Sequence, residues 1–248
     1  MVVHFVFDLD GTLYSFSRTG MAKQMRARIN EFLSTEFHIT LEEADRMADL
    51  HYQKYGLTAR GIQIEHNVSD ATLRKYCGFV HLLDLTPLKY NGELAAALTQ
   101  LNSFRHVELW VLTNAIRSHA ACCLAQLGIA ECFRDPRDGS LRIVDCFDQW
   151  RASRDVKAEC KPMKQSFEHM AQHVCNAQAG DVMVMVEDAL HNLTEPKRLG
   201  WQTIWISDGK SDAEARSAGH VIARDIQESV PHLMRIAQDH APTASSPS

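Results

Sequence analysis

Long apolar runs are missing from this chain of 248 residues. No stretch of about eighteen consecutive apolar residues occurs, so no membrane span is expected. A basic excess is missing too: 26 lysines and arginines face 31 aspartates and glutamates, for a formal net charge of -5. That balance argues against a nucleic-acid polymer as partner. The seven cysteines are odd in number and form no CxxC pair, so neither a disulfide framework nor a zinc site is indicated. Reduced thiols of this kind fit a cytoplasmic protein. Thirteen histidines show no HxH or HExxH pattern, which gives no transition-metal site. The opening VVHFVF is too short for a signal peptide and has no basic segment before it, so no leader is expected. The closing PTASSPS is poor in apolar residues, and residues 241–248 read as a frayed tail.

What is present is a chain 45% hydrophobic, enough to bury one large core or a core plus a smaller insert. Short apolar runs rich in β-branched and aromatic residues predict buried strands at Val2 to Phe7, Glu108 to Leu112, Asp181 to Val186 and Gln202 to Ile206. Shorter strands are expected near Arg142 to Asp145 and His220 to Ile222. Helical spacing covers Met21 to Phe37, Leu41 to Tyr55 and Ser69 to Tyr76, with Thr40 and Glu43 placed as a capping box. Further helices are expected from near Asn91, over Arg117 to Leu127, over Lys161 to Cys175 with Pro162 in the first turn, and over Leu190 to Leu199.

From residue 92 onward strand and helix alternate, the pattern of a parallel sheet covered by helices. Residues 15–91 read as all-helical and fall between the first strand and the rest. The expected organisation is α/β: a discontinuous parallel-sheet core of residues 1–14 and 92–240, with an inserted helical cap of residues 15–91.

Three apolar strands run into polar residues: Asp8 and Asp10, Thr113 and Asn114, Glu187 and Asp188. In an open parallel sheet, ligands bind outside the carboxyl ends of the strands, so these residues should converge on one edge. Asp8, Asp10 and Asp188 offer hard oxygens that suit Mg²⁺ better than zinc. Thr12, Thr113 and Asn114 add hydrogen-bonding groups, and Lys161 adds a positive charge. Such a set suits phosphoryl transfer.

In order along the chain, DLDGTLY, LTN, KP and VEDALHN resemble the haloacid dehalogenase superfamily of aspartate-nucleophile hydrolases. The resemblance implies a Rossmann-like core with a cap inserted after the first motif. It implies Asp8 as nucleophile and Asp10 as the acid and base. Thr113 and Lys161 would hold phosphoryl oxygens, with Gly11, Thr12 and Asn114 also at the substrate. Mg²⁺ would be held by Asp8, by Asp10 through its carbonyl, and by Asp188, with Glu187 and Asn192 in the outer shell. Dehalogenases of the superfamily generally lack the second aspartate, so Asp10 favours a phosphatase. The stretch from residue 134 to residue 160 reads as an insertion, and it places Lys157 and Lys164 near Lys161; Pro162 favours Lys161.

Specificity is expected in the cap. HYQKYGLTARGI resembles the cap of pyrimidine 5'-nucleotidase-like members, which points to Tyr52, Tyr55 and Arg60 as substrate contacts and to a nucleoside 5'-monophosphate. A phosphatase for a sugar or other small metabolite phosphate, and a non-catalytic binding protein, are the alternative readings. Tyr52 and Tyr55 packing within the cap, with Arg60 in solvent, is the competing account of those three residues.

Overall fold

The computed structural model describes residues 1–145, 160–210 and 213–242. Lys157, Cys146 and much of the expected insertion lie outside the described residues. The expected tail lies within them only at residues 241 and 242.

Six parallel strands form one sheet: β1 (Val3–Phe7), β2 (Val107–Leu112), β3 (Ile143–Val144), β4 (Val182–Glu187), β5 (Gln202–Ile206) and β6 (Val221–Ala223). Their order is β3-β2-β1-β4-β5-β6. The unbroken apolar character of the strands has a direct cause. Successive side chains point to opposite faces. Phe5, Phe7, Leu109, Val111, Val184 and Val186 enter one core, while Val6, Trp110, Leu112, Met183 and Met185 enter the core on the other face. Both faces are covered, as an all-parallel sheet requires. Each such side chain, once fully buried, contributes about 1.5–3 kcal/mol.

Five helices intervene between β1 and β2: α1 (Met21–Phe37), α2 (Leu41–Tyr55), α3 (Thr58–His66), α4 (Asp70–Val80) and α5 (Gly92–Asn102). The first four enclose a core of their own, built from Phe32, Leu33, Ala44, Ala48, Ile62, Leu73 and Tyr76. Leu94, Leu98 and Leu101 of α5 instead join the sheet core. The helical insertion is therefore present, and α5 already belongs to the layer over the sheet. Thr40 caps α2 as expected: its hydroxyl accepts from the Glu43 N–H at 3.2 Å, and the Glu43 carboxylate accepts from the Thr40 N–H at 2.8 Å. Helix α3 has no separate signal in the sequence and no side-chain cap at Leu57. Gly56 stops α2 with φ +74°, and the next helix begins two residues later.

Beyond β2 come α6 (Arg117–Leu127), α7 (Lys164–His169), α8 (Thr194–Arg198), α9 (Ala213–Ser217) and α10 (Ile226–Asp239). Two expected helices are corrected. Lys161 and Pro162 precede α7 and are joined by a cis peptide bond, so Pro162 is not in a first helical turn. The Asn114 side chain bonds both backbone groups of Lys161 and holds that residue out of a helix. The expected helix over Leu190 to Leu199 is split into a 3₁₀ turn over Leu190–Leu193 and the short α8. Among the described residues no helix is long and apolar enough to cross a membrane.

Replacing Thr40 by Ala removes the hydroxyl half of the capping box, leaving the backbone N–H bond to Glu43, and is expected to cost about 1 kcal/mol. In a chain of this size that lowers the thermal midpoint by about 2–4 °C, read by calorimetry.

Candidate active site

The sheet register builds the site. Phe7 lies opposite Val111 on one side and Val186 on the other. The next residues, Asp8, Leu112 and Glu187, therefore stand in one row, with Thr113 one step beyond. The strand order runs outward from β1 in both directions, which opens a crevice at the carboxyl ends of the central strands.

Lys161 fills the middle of that row. Its Nζ lies 2.6 Å from Asp8 Oδ1 and 2.7 Å from Glu187 Oε2, and the residue is 1% exposed. Thr12 Oγ1 donates to the other Asp8 oxygen at 3.2 Å. Asn114 holds the lysine's backbone, donating to Lys161 O at 2.9 Å and accepting from Lys161 N at 3.1 Å. The Thr113 hydroxyl accepts from the Ala115 N–H at 3.0 Å. Asp188 follows Glu187 and stands against Gly11, where a Cβ would lie 2.6 Å from the Asp188 carboxyl; Gly11 has φ +101°. Glycine is required there on both counts. Lys210 reaches the Asp188 carboxylate at 3.4 Å.

One ammonium thus serves two buried carboxylates, and a third carboxylate stands beside them. Burial and the neighbouring Glu187 raise Asp8 to about 7 against the opposing pull of Lys161. Burial and Asp8 raise Asp188 to about 6. Glu187 is also raised, chiefly by burial. Burial disfavours the charged form of Lys161, yet Asp8 and Glu187 raise it above its ordinary value. Carboxylate oxygens of Asp8, Glu187 and Asp188 lie within 4.8 Å of one another. A crowded set of hard anionic donors with too little positive charge fits a divalent cation such as Mg²⁺.

Asp10 sits apart from Asp8. Strand β1 ends at Phe7, and Asp10 lies in the following turn. The alternation of a strand therefore does not place the two carboxylates. The Asp10 Oδ1 atom accepts from the Tyr14 hydroxyl and from His119 Nε2, the latter at 2.8 Å. Burial opposes its charge, but His119 and Tyr14 hold Asp10 below the usual carboxylate range. His119 is raised to about 10 by Asp10 in spite of burial.

A cavity of about 270 Å³ joins these groups to the helical insertion. Asp8, Asp10, Thr113, Asn114, Lys161, Glu187, Asp188 and Asn192 line its floor, and Phe16, Met25, Ile29, Leu57, Tyr76 and Val80 are among the residues that line the rest.

A model of the haloacid dehalogenase-like hydrolases matches residues 2–200. The chain belongs to that family. It is 31% identical over 173 residues to Phosphate metabolism protein 8 of Saccharomyces cerevisiae, a match covering 66% of this chain and 49% of that protein. The matched segment therefore spans about half the length of that relative. Two solved structures share the fold. One, named as a predicted phosphatase from Clostridium acetobutylicum, has a TM-score of 0.60 at 16% identity, covering 95% of this chain and 99% of that one. The other is the HAD-hydrolase YfnB from Bacillus subtilis bound to magnesium, with a TM-score of 0.52 at 18% identity, covering 95% and 98%.

The cap residues singled out in the hydrolase's sequence divide. Tyr52 lines the cavity, and its ring meets His191 edge to face at 5.7 Å. Burial and the carboxylates of Asp188, Glu187 and Asp8 push its hydroxyl up to about 12. Tyr55 donates to Glu65 at 2.8 Å and is not among the cavity's lining residues. Arg60 is 9% exposed on α3, beside Cys160, and does not line the cavity either. Its burial departs from the account that puts it in solvent. Three site residues go unassigned by the sequence: Tyr14, which closes the DLDGTLY motif without a role of its own, and His81 and His119, which carry no signal. His119 sits on the helix expected over Arg117 to Leu127, where a lone histidine on a buried face is indistinguishable from a packed one.

The carboxyl shifts fix a pH dependence. Asp8 and Asp188 titrate near 4 when unfolded, whereas the native state keeps their protons to about 7 and about 6. Between pH 4 and 7 these two carboxyls therefore hold more protons in the native state than in the unfolded one, and their contribution to stability falls as pH rises, while His81, lowered to about 4 by burial, acts in the opposite sense. Calorimetry in chelator is expected to show the melting temperature of the wild type falling relative to that of Asp8→Asn through that window. Added Mg²⁺ should raise it more at pH 7.5 than at pH 5, because the ligands must be ionised.

Proposed function

We propose that this hydrolase is a Mg²⁺-dependent phosphomonoester hydrolase that works through an aspartyl-phosphate on Asp8. One observation carries the reading: the nucleophile candidate Asp8 and the acid/base candidate Asp10 line one cavity, each held by its own cation, Lys161 and His119. The cation would be held by Asp8, Asp188 and the Asp10 carbonyl. When bound, it offsets the charge of the carboxylates and of the phosphoryl oxygens.

The chain's own residues account for the rest. Lys161 and Thr12 orient the Asp8 carboxylate, each on a different oxygen. Asp8 forms a bond to phosphorus as the bond to the leaving oxygen breaks, and Asp10 gives that oxygen its proton. Asp10 then takes a proton from water, which attacks phosphorus and frees Asp8 with release of phosphate. Two displacements replace one harder one. Asn114 acts by fixing Lys161, and the Glu187 carboxylate shares the lysine's charge.

The leaving group would occupy the region bounded by Phe16, Met25, Ile29, Tyr76 and Val80. The apolar part of that lining suits the face of a planar base, and Tyr52, Thr58 and His81, which also line the cavity, offer polar groups for the hydroxyls of a ribose. This supports a nucleoside 5'-monophosphate. A leaving group that is a polyhydroxylated sugar alone would lose hydrogen bonds to water against the apolar residues.

Phosphate release from a panel of nucleoside monophosphates, sugar phosphates and p-nitrophenyl phosphate tests the reading, in Mg²⁺ and in chelator. Release is expected only with Mg²⁺ and fastest with a nucleotide. Asp8→Asn should abolish turnover, and Asp10→Asn should slow it about 10²–10⁴-fold. Full turnover by Asp8→Asn would remove the nucleophile, and a preference for hexose phosphates would remove the nucleotide.

A further inference from the structure

Asp10 lies in a turn, where a carboxylate is free to rotate about two bonds. In this chain it is not free. Tyr14, four residues on, and His119, from α6, both donate to the same atom, Asp10 Oδ1. Both donors are buried, Tyr14 at 7% and His119 at 4% exposure. His119 is itself packed from two sides. Cys123 Sγ lies 3.6 Å from its Nε2, and the His81 ring stands 5.1 Å away. His81 comes from the end of α4 and is fixed by its Nδ1 bond to Cys77 O at 2.6 Å. Among the described residues no hydrogen bond is made to the other Asp10 oxygen, Oδ2, while Asp10 lines the cavity.

We infer that His119 and Tyr14 are positioning residues that clamp Asp10 by one oxygen and leave the other to exchange protons with the leaving group and with water. The inference rests on the phosphomonoesterase reading above. Two donors on one oxygen fix the carboxyl plane, which a single donor does not. The clamp also keeps this carboxylate from swinging onto the nearby carboxylates' counter-charge, which a loosely held anion would do. His81 makes the inserted helices part of the support, so the insertion bears on the acid/base group as well as on the substrate.

A clamp that acts only through Asp10 has a signature that packing lacks. An alkyl leaving group needs a proton to depart, whereas p-nitrophenolate leaves without one. Hydrolysis of the phospho-enzyme needs Asp10 in both cases. Rapid-quench kinetics with His119→Phe, His119→Gln and Tyr14→Phe, in Mg²⁺, separates the two steps.

With the best alkyl phosphomonoester of the panel, His119→Phe should slow phosphorylation of the enzyme about 10²-fold. With p-nitrophenyl phosphate it should keep a fast burst of nitrophenolate, followed by slow turnover as phospho-enzyme accumulates. His119→Gln, which restores a neutral donor, should recover most of the lost rate. Tyr14→Phe should show the same pattern at about 10-fold, and it carries the test if His119→Phe fails to fold. Equal slowing of the phosphorylation step with both substrates, or a smaller burst with unchanged rates, marks a structural role and overturns the clamp. No slowing with either variant overturns it as well. If the wild-type enzyme hydrolyses neither substrate, the phosphomonoesterase reading falls and the clamp with it. A wild type that turns over normally keeps the two questions distinct.

Discussion

Lys161 places its ammonium 2.6 Å from Asp8 and 2.7 Å from Glu187 with almost no contact with water, and the geometry of the site follows from that contact. It joins the ends of two neighbouring strands to the chain just before α7. Removing one partner of such a buried set leaves an uncompensated charge, at a cost of about 3–5 kcal/mol. The lysine in turn is located by Asn114, whose amide pairs with its backbone much as a neighbouring strand would. Three strand ends and one loop are thereby fixed to a common point. The arrangement remains short of positive charge, which is the physical reason it fits a divalent cation.

Asp10, the proposed acid/base group, is held by different means. Asp8 is fixed by a row of strand ends, Asp10 by two donors meeting one oxygen. The first device belongs to the sheet alone. The second draws on the turn after β1, on α6 and, through His81, on the inserted helices. The two aspartates that stand two residues apart in sequence thus depend on separate parts of the fold. This separation lets the two carboxyls shift in opposite directions, Asp8 raised by burial and Glu187, Asp10 lowered by His119 and Tyr14.

Much of the core was legible in the sequence because its physics is local. Apolar runs mark β1, β2, β4 and β5, and the rule for parallel sheets alone brings Asp8, Thr113, Glu187 and Asp188 to one edge. Thr40 and Glu43 declared their cap by spacing alone. Lys161 was found through Pro162, although the helix assigned to them begins at Lys164, because the Asn114 contact that holds Lys161 out of a helix is 47 residues away in sequence. His119 left no trace for the same reason: its partner is 109 residues distant. In the cap, Tyr52 and Tyr55 differ by three positions on α2, yet one reaches the cavity and the other Glu65. Composition cannot choose between them; the rotation of the helix against the core does.

Gly56 ends α2, and a Cβ at that position would lie 2.4 Å from Pro162 Cδ. The insertion and the Lys161 loop therefore meet through main chain and a proline ring, with no flexible side chain between them. Such a contact works as a hard stop. The atoms at this point have little freedom to yield, so the spacing between the insertion and the Lys161 loop is written into the backbone, while changes among the apolar lining residues act only on the space between them.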